Sequence, residues 1–341
     1  MRDDKGAGPS TPENGIVLAG EPHKRTNRRQ VPALAGCVLC ALGGVAAYFL
    51  QPAASLLVGL GALAAGAGRS KALKALLAVC TLALAGLGGI AFGVAGIPDA
   101  LICCGIGLAS AFLVDEGKMT SGVACIAVAA VAALLLGAGE LVAQAQGMTL
   151  SAQVTGLLDQ YLQAMGSAAG LTAADTSPVE HLVGLLWPVA YTVTALLEFL
   201  CAYAGAAFAA QRRQSPRVEA PRFAEFDLPL WVVAIFVASV AGLAASLSVP
   251  VLSGDPVLMV MGTLLLSLRF AFAAQGFAVL VWVVQRRKAS SAAFALALVA
   301  AAYLEAQFIV MSIVGLLDVW SNFRRLPRGK KVTVQDGPMQ Q

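Results

Sequence analysis

The sequence predicts an all-α, polytopic transmembrane helix bundle of eight or nine spans, and three observations carry that prediction. Of its 341 residues, 58% are hydrophobic and only 12% are charged, whereas an ordinary soluble domain carries roughly 25% charged residues. The mean hydropathy is +0.78. The apolar residues form long runs rather than narrow helical stripes, and Lys and Arg collect between the runs. So little polar surface cannot cover a water-soluble globule. A soluble enzyme, a disordered protein and a secreted disulfide scaffold are all excluded.

Residues 1–30 are rich in Pro, Gly and charge and lack apolar periodicity, so they read as a disordered cytoplasmic tail. A hydrocarbon core of ~30 Å needs about 20 apolar residues in a helix. That criterion gives nine candidate spans, at 31–50, 53–68, 73–96, 99–114, 121–142, 178–210, 229–247, 256–285 and 292–319. The first five form an N-terminal group over 31–142, and the other four a C-terminal group over 178–320. Ser177-Pro178-Val179-Glu180 is a capping box with proline at the first helical position. Asp227-Leu228-Pro229 and Asp255-Pro256 are similar starts.

Between the two groups lies the segment 143–177. Leu150, Val154, Leu157, Leu158, Tyr161, Leu162 and Met165 share one helical face there. The periodic stretch is too short to span and is expected to lie on the outer interface.

Orientation follows from the short loops. The N-tail, Arg69-Lys71-Lys74, Lys118, the 212–222 arginines and Arg286-Arg287-Lys288 alternate with connections that carry no Lys or Arg. By the positive-inside rule the N-terminus is cytoplasmic, in a bacterial inner membrane. Nine crossings would place the basic tail 321–341 outside, although it holds Arg324, Arg325, Arg328, Lys330 and Lys331. The run 292–319 is therefore expected to break near Glu305–Gln307 into two half-length helices. The chain then dips in and returns, leaving the tail cytoplasmic.

The seven cysteines all fall in apolar runs and read as packing residues, Cys37 and Cys40 included, despite their C-x-x-C spacing. No metal-ligand, cofactor or phosphate-cradling motif and no catalytic constellation occurs. Enzymatic activity is not expected. The basic clusters report bilayer orientation, and no nucleic-acid partner is expected.

Chemistry at membrane depth falls to Glu198, Arg269 and Glu305, with Gln275 and Gln307 completing a polar interior. A charge facing lipid costs at least ~2.5–3.5 kcal/mol, so these side chains should turn inward and find partners. Counted from the outer helix starts at ~1.5 Å per residue, Glu198 and Arg269 reach the same level, about 20 Å down. A Glu198–Arg269 pair is therefore expected, with Glu305 nearer the outer face. Gly36, Cys40 and Gly44 recur every four residues. That small-residue face serves either packing within the chain or docking to another.

The C-terminal half resembles the YybS-like family of uncharacterised bacterial membrane proteins, a domain of unknown function. The resemblance rests on Trp187-Pro188, Phe226-Asp227-Leu228-Pro229-Leu230-Trp231, Gln275-Gly276, and Gly315-Leu316-Leu317-Asp318-Val319-Trp320 followed by Asn322-Phe323-Arg324-Arg325. More distantly, that family is similar to the substrate-binding S components of energy-coupling-factor vitamin transporters. The similarity implies a small-solute site, a transmembrane coupling protein and separate ATPases, with docking through a face such as Gly36/Cys40/Gly44. It also implies about six spans, fewer than counted here. The favoured expectation is a substrate-binding or permease-like subunit for a small solute. A non-transporting scaffold that binds a partner through loop 210–228 and the basic tail is the first alternative. A secondary transporter with a proton site at Glu198 or Glu305 is the second.

Overall fold

The computed structural model describes residues 33–169, 181–212, 223–248, 255–287 and 290–326. The tail 1–30, the Ser177–Glu180 helix start, most of the 210–228 loop and the chain after Leu326 lie outside these. The described residues form helices and turns, with no strand among them.

Among the described residues the α-helices named in order are α1 Ala33–Ala46, α2 Gln51–Gly66, α3 Lys71–Phe92, α4 Ile97–Asp115, α5 Ser121–Ala145 and α6 Leu150–Ala169, then α7 Val189–Arg212, α8 Leu230–Ser248, α9 Asp255–Arg286, α10 Ser291–Phe308 and α11 Val310–Ser321. Their starts obey local chemistry. Ser70, Thr120 and Ser290 each accept the N–H of the residue three positions on, satisfying one of the free donors of a first turn. Pro52 and Pro98 stand in the first turns of α2 and α4, where a missing N–H costs nothing. Residues 181–186 are also helical, and Trp187-Pro188 makes a turn before α7. The proline thus ends one helix and begins the next instead of kinking a single long one.

Among the described residues, seven helices (α3, α4 with the turn before it, α5, α7, α8, α9 and α10) are long and apolar enough to cross a membrane, fewer than the expected eight or nine spans. α1 and α2, at 14 and 16 residues, fall short of the ~20 that a bilayer core requires. The run 292–319 divides as expected, although the break falls at Ile309, just after Glu305–Gln307. Ile309 holds a left-handed φ of 52° between α10 and α11. Such a backbone is unusual for a β-branched residue and persists only where its surroundings hold it.

Small residues decide the packing. α2 is buried from Ala54 to Gly66 along most of its length, with α1, α4 and α7 against it. A Cβ on Gly59 would strike the Ala202 carbonyl, and one on Gly205 the Leu56 carbonyl, so α2 and α7 touch backbone to backbone. Gly36 meets Gly61 and Ala65 in the same way, Cys40 donates to the Val58 carbonyl at 3.8 Å, and Gly44 faces Thr81 and Ala85. The Gly36/Cys40/Gly44 face is therefore occupied by α2 and α3 of this chain. Of its two expected uses, internal packing is the one observed, and the face is not free for docking.

α8, α9 and α11 form a second group around Leu228, Val232, Phe272 and Val319. Phe236 meets Phe272 edge to face at 4.9 Å. The two groups join where Thr192 of α7 hydrogen-bonds Ser267 of α9 at 2.9 Å and where Ser121 donates to the Asp227 carbonyl. The segment read as an outer amphipathic helix is helical as α6. It is tied to α5 by the Leu150 N–H, which donates to Glu140 at 3.0 Å, while Leu157 and Tyr161 of its apolar face stay exposed.

Candidate functional site: charged groups among the helices

The five residues expected to share one polar interior are distributed over four places. Arg269 lies midway along α9, and its Nε donates to Glu305 Oε1 at 3.2 Å, its Nη2 to the Glu305 backbone carbonyl at 3.0 Å. The second Glu305 oxygen accepts the Ser312 N–H at 2.9 Å. Ser312 Oγ stands 2.6 Å from Glu305 Oε1 and 3.2 Å from the Arg269 carbonyl oxygen. Glu305 thus does two jobs: it pairs with Arg269, and it satisfies an N–H in the first turn of α11, a helix with no side-chain cap of its own. Both side chains are partly covered, with 31% and 13% exposure.

This geometry corrects the expected Glu198–Arg269 pair. The depth argument counted Arg269 from the outer end of its helix and Glu305 from the cytoplasmic end. Counted from the cytoplasmic ends alone, Arg269 lies 17 residues before Arg286 and Glu305 14 residues after Ser291, so on the antiparallel helices α9 and α10 the two are level. α11 then turns. Ser312 sits beside Arg269 and Asp318 beside Gln275, so α11 advances in the same sense as α9. A Cβ on Gly276 would enter the Met311 carbonyl, and one on Gly315 the Phe272 carbonyl. Two glycines facing opposite ways therefore let α9 and α11 cross in contact.

Gln275, fully buried, organises the second place. Its Nε2 donates to Asp227 at 3.1 Å and Asp318 at 2.8 Å, and its Oε1 accepts the Leu228 N–H at 3.1 Å. Arg324 donates to Asp318 at 2.8 Å and to the Ala224 carbonyl at 2.7 Å, with both its side chain and that of Asp318 fully covered. Asp227, Asp318, Arg324 and Ser312 were missed from sequence. Asp227 read as a helix cap and Arg324 as one of several tail charges. The available signal was the resemblance itself: Phe226–Trp231, Gln275-Gly276 and Gly315–Arg325 are the stretches that carry it, and they meet here.

Glu198 stands apart, on α7 in the first group. It is fully buried, and neither carboxyl oxygen has a hydrogen-bond partner. Gln307 is exposed and joins none of these clusters. Among the described residues, no group of three or more His, Cys, Asp or Glu could hold a metal ion.

No curated protein and no solved structure matches the chain. A family of predicted membrane proteins of unknown function, DUF2232, matches residues 44–319. With an all-helical bundle, seven apolar helices of spanning length and a match over most of its length, the chain belongs to that membrane-protein family.

Proposed function

We propose that the protein is a substrate-binding, permease-like subunit of a bacterial inner membrane, with a small polar solute bound at the break between α10 and α11. One observation carries the reading: an arginine–carboxylate pair held beside a discontinuous apolar helix. Irregular backbone at membrane depth is tolerated only where protein buries it or a cavity borders it. Broken helices of this kind supply binding groups near the bilayer midplane in membrane transporters. Arg269 offers a planar set of donors suited to carboxylate or phosphate. Glu305 is the group an incoming anion would displace.

In this reading the N-terminus and the tail after Leu326 both lie in the cytoplasm. Loop charges support that orientation. So does the return of α11, which brings Arg324 to the Ala224–Asp227 end of α8. The resemblance to energy-coupling-factor S components adds a transmembrane coupling protein and ATPases as partners.

The test is native mass spectrometry of protein extracted gently from its own membrane, comparing wild type with the Arg269→Met/Glu305→Met double variant. A small polar adduct on wild type, lost from a variant with the same elution profile, supports the site. Coupling protein and ATPases in the wild-type spectrum would support the wider assembly. Identical spectra, with or without adducts, would rule the site out.

A further inference from the structure

Glu198 has a setting that packing alone does not explain. The carboxyl group is wholly covered, and both oxygens lack hydrogen-bond partners. Buried polar groups in native proteins are ordinarily paired, and each exception calls for a cause. Two donors on the helices packed against α7 are committed to backbone. Ser55 Oγ of α2 stands 2.9 Å from the Pro52 carbonyl oxygen and 3.0 Å from that of Glu198 itself. Cys103 Sγ of α4 donates to the Gln51 carbonyl at 3.1 Å.

On α4, Asp99 acts on Glu198 electrostatically, and the Glu198 charge in turn acts on the buried thiols of Cys103 and Cys104. From its own helix, Tyr191 lies within the influence of Asp99. α2 contributes the Ser55 hydroxyl. The charged group acting on Glu198 is thus a second acid. Two carboxyl groups that repel each other within an apolar bundle favour a proton or cation bound on the buried one. Glu198 has no exposed surface, which limits the occupant to something no bulkier than a bare ion.

We infer that Glu198, with Asp99, forms a binding site for a small monocation, a proton or a sodium ion, in the α2–α4–α7 group. The site is separate from Arg269 and Glu305 and does not depend on a solute binding there. Cation occupancy would neutralise the one fully buried carboxyl group beside the α2–α7 contact. It gives the bundle a way to respond to an ion gradient.

Two readouts on the full chain in detergent test this. The first is modification by dicyclohexylcarbodiimide, which attacks protonated carboxyl groups in apolar surroundings, mapped by peptide mass spectrometry. The second is the unfolding midpoint as pH and sodium are varied, with potassium as the control ion. The site predicts an adduct on Glu198 or a cation-dependent midpoint, abolished in either case in Glu198→Gln. Adduct formation that falls as pH rises and ignores sodium assigns the proton. Suppression by sodium and not by potassium assigns the sodium ion. Should Glu198→Gln fail to fold, Asp99→Asn, altering a partly exposed residue, must shift the pH or sodium concentration of half-effect. The proposal is overturned if wild type shows neither adduct nor cation-dependent midpoint, or if the variants keep the wild-type dependence.

Discussion

Arg269 and Glu305 meet at 3.2 Å on two helices that run in opposite directions, α9 and α10. The same Glu305 carboxylate receives the Ser312 N–H at the start of α11, so one side chain ties three helices together. Removing either member leaves the other partly buried without its partner, a loss of about 1–3 kcal/mol for each orphaned group. Arg269→Met and Glu305→Met should each lower the unfolding midpoint in detergent. The double variant should lose less than the sum of the two, because neither charge is then left alone. Strict additivity would show that the pair is not coupled.

A steeper loss is expected at the second cluster. Asp318 and Arg324 are both fully covered, and breaking such a buried pair typically costs about 3–5 kcal/mol. Arg324→Met should therefore destabilise the protein more than Arg269→Met does. Chemical denaturation of the two variants under one condition compares them directly. An equal or smaller loss at Arg324 would contradict the network around Gln275.

Glycine substitutions separate close packing from composition. Gly276→Ala and Gly315→Ala place a methyl group against backbone carbonyls that cannot yield, an overpacking cost of roughly 1–3 kcal/mol. Gly137, within α5, meets nothing within 4 Å. There the alanine should be neutral or stabilising by up to about 1 kcal/mol. Thermal unfolding of the three variants should split them two against one.

Thiol reactivity checks the core. Cys37 and Cys80 are exposed on the helix surface, whereas Cys40, Cys103 and Cys104 are buried. In the folded, detergent-solubilised protein, N-ethylmaleimide should modify Cys37 and Cys80 first. The buried three should react only after denaturation, as peptide mass spectrometry would show.

The helices were legible from sequence as long apolar runs, with starts at Asp227-Leu228-Pro229 and Asp255-Pro256 marked by proline and an acidic residue. The caps at Ser70, Thr120 and Ser290 emerge only in the structure. The break between α10 and α11 was legible from charge, since an uninterrupted helix would carry the basic tail to the wrong side. Its location at Ile309 was not, because nothing in a β-branched residue announces a left-handed turn. Depth was counted for Arg269 from the outer end of a 32-residue helix and for Glu305 from the cytoplasmic end of its own, two counts that do not share a scale, and that is why Glu198 was assigned a partner it lacks. The Gln275 cluster was hidden for another reason. Its members come from three separate stretches, and Asp227 and Arg324 read alone as a helix cap and a tail charge.

The most direct test of this account is the side on which the tail emerges, since the break beside Arg269 and Glu305, where Glu305 holds the start of α11, requires that α10 and α11 form a returning pair. In a chain freed of native cysteines, Lys118→Cys, Gly147→Cys and Gln340→Cys would be labelled with a membrane-impermeant maleimide on intact cells. The account predicts that Gly147→Cys reacts, while Lys118→Cys and Gln340→Cys react only after permeabilisation. Labelling of Gln340→Cys on intact cells, with Lys118→Cys still protected, would mean that the chain crosses once more, and the returning pair would be refuted.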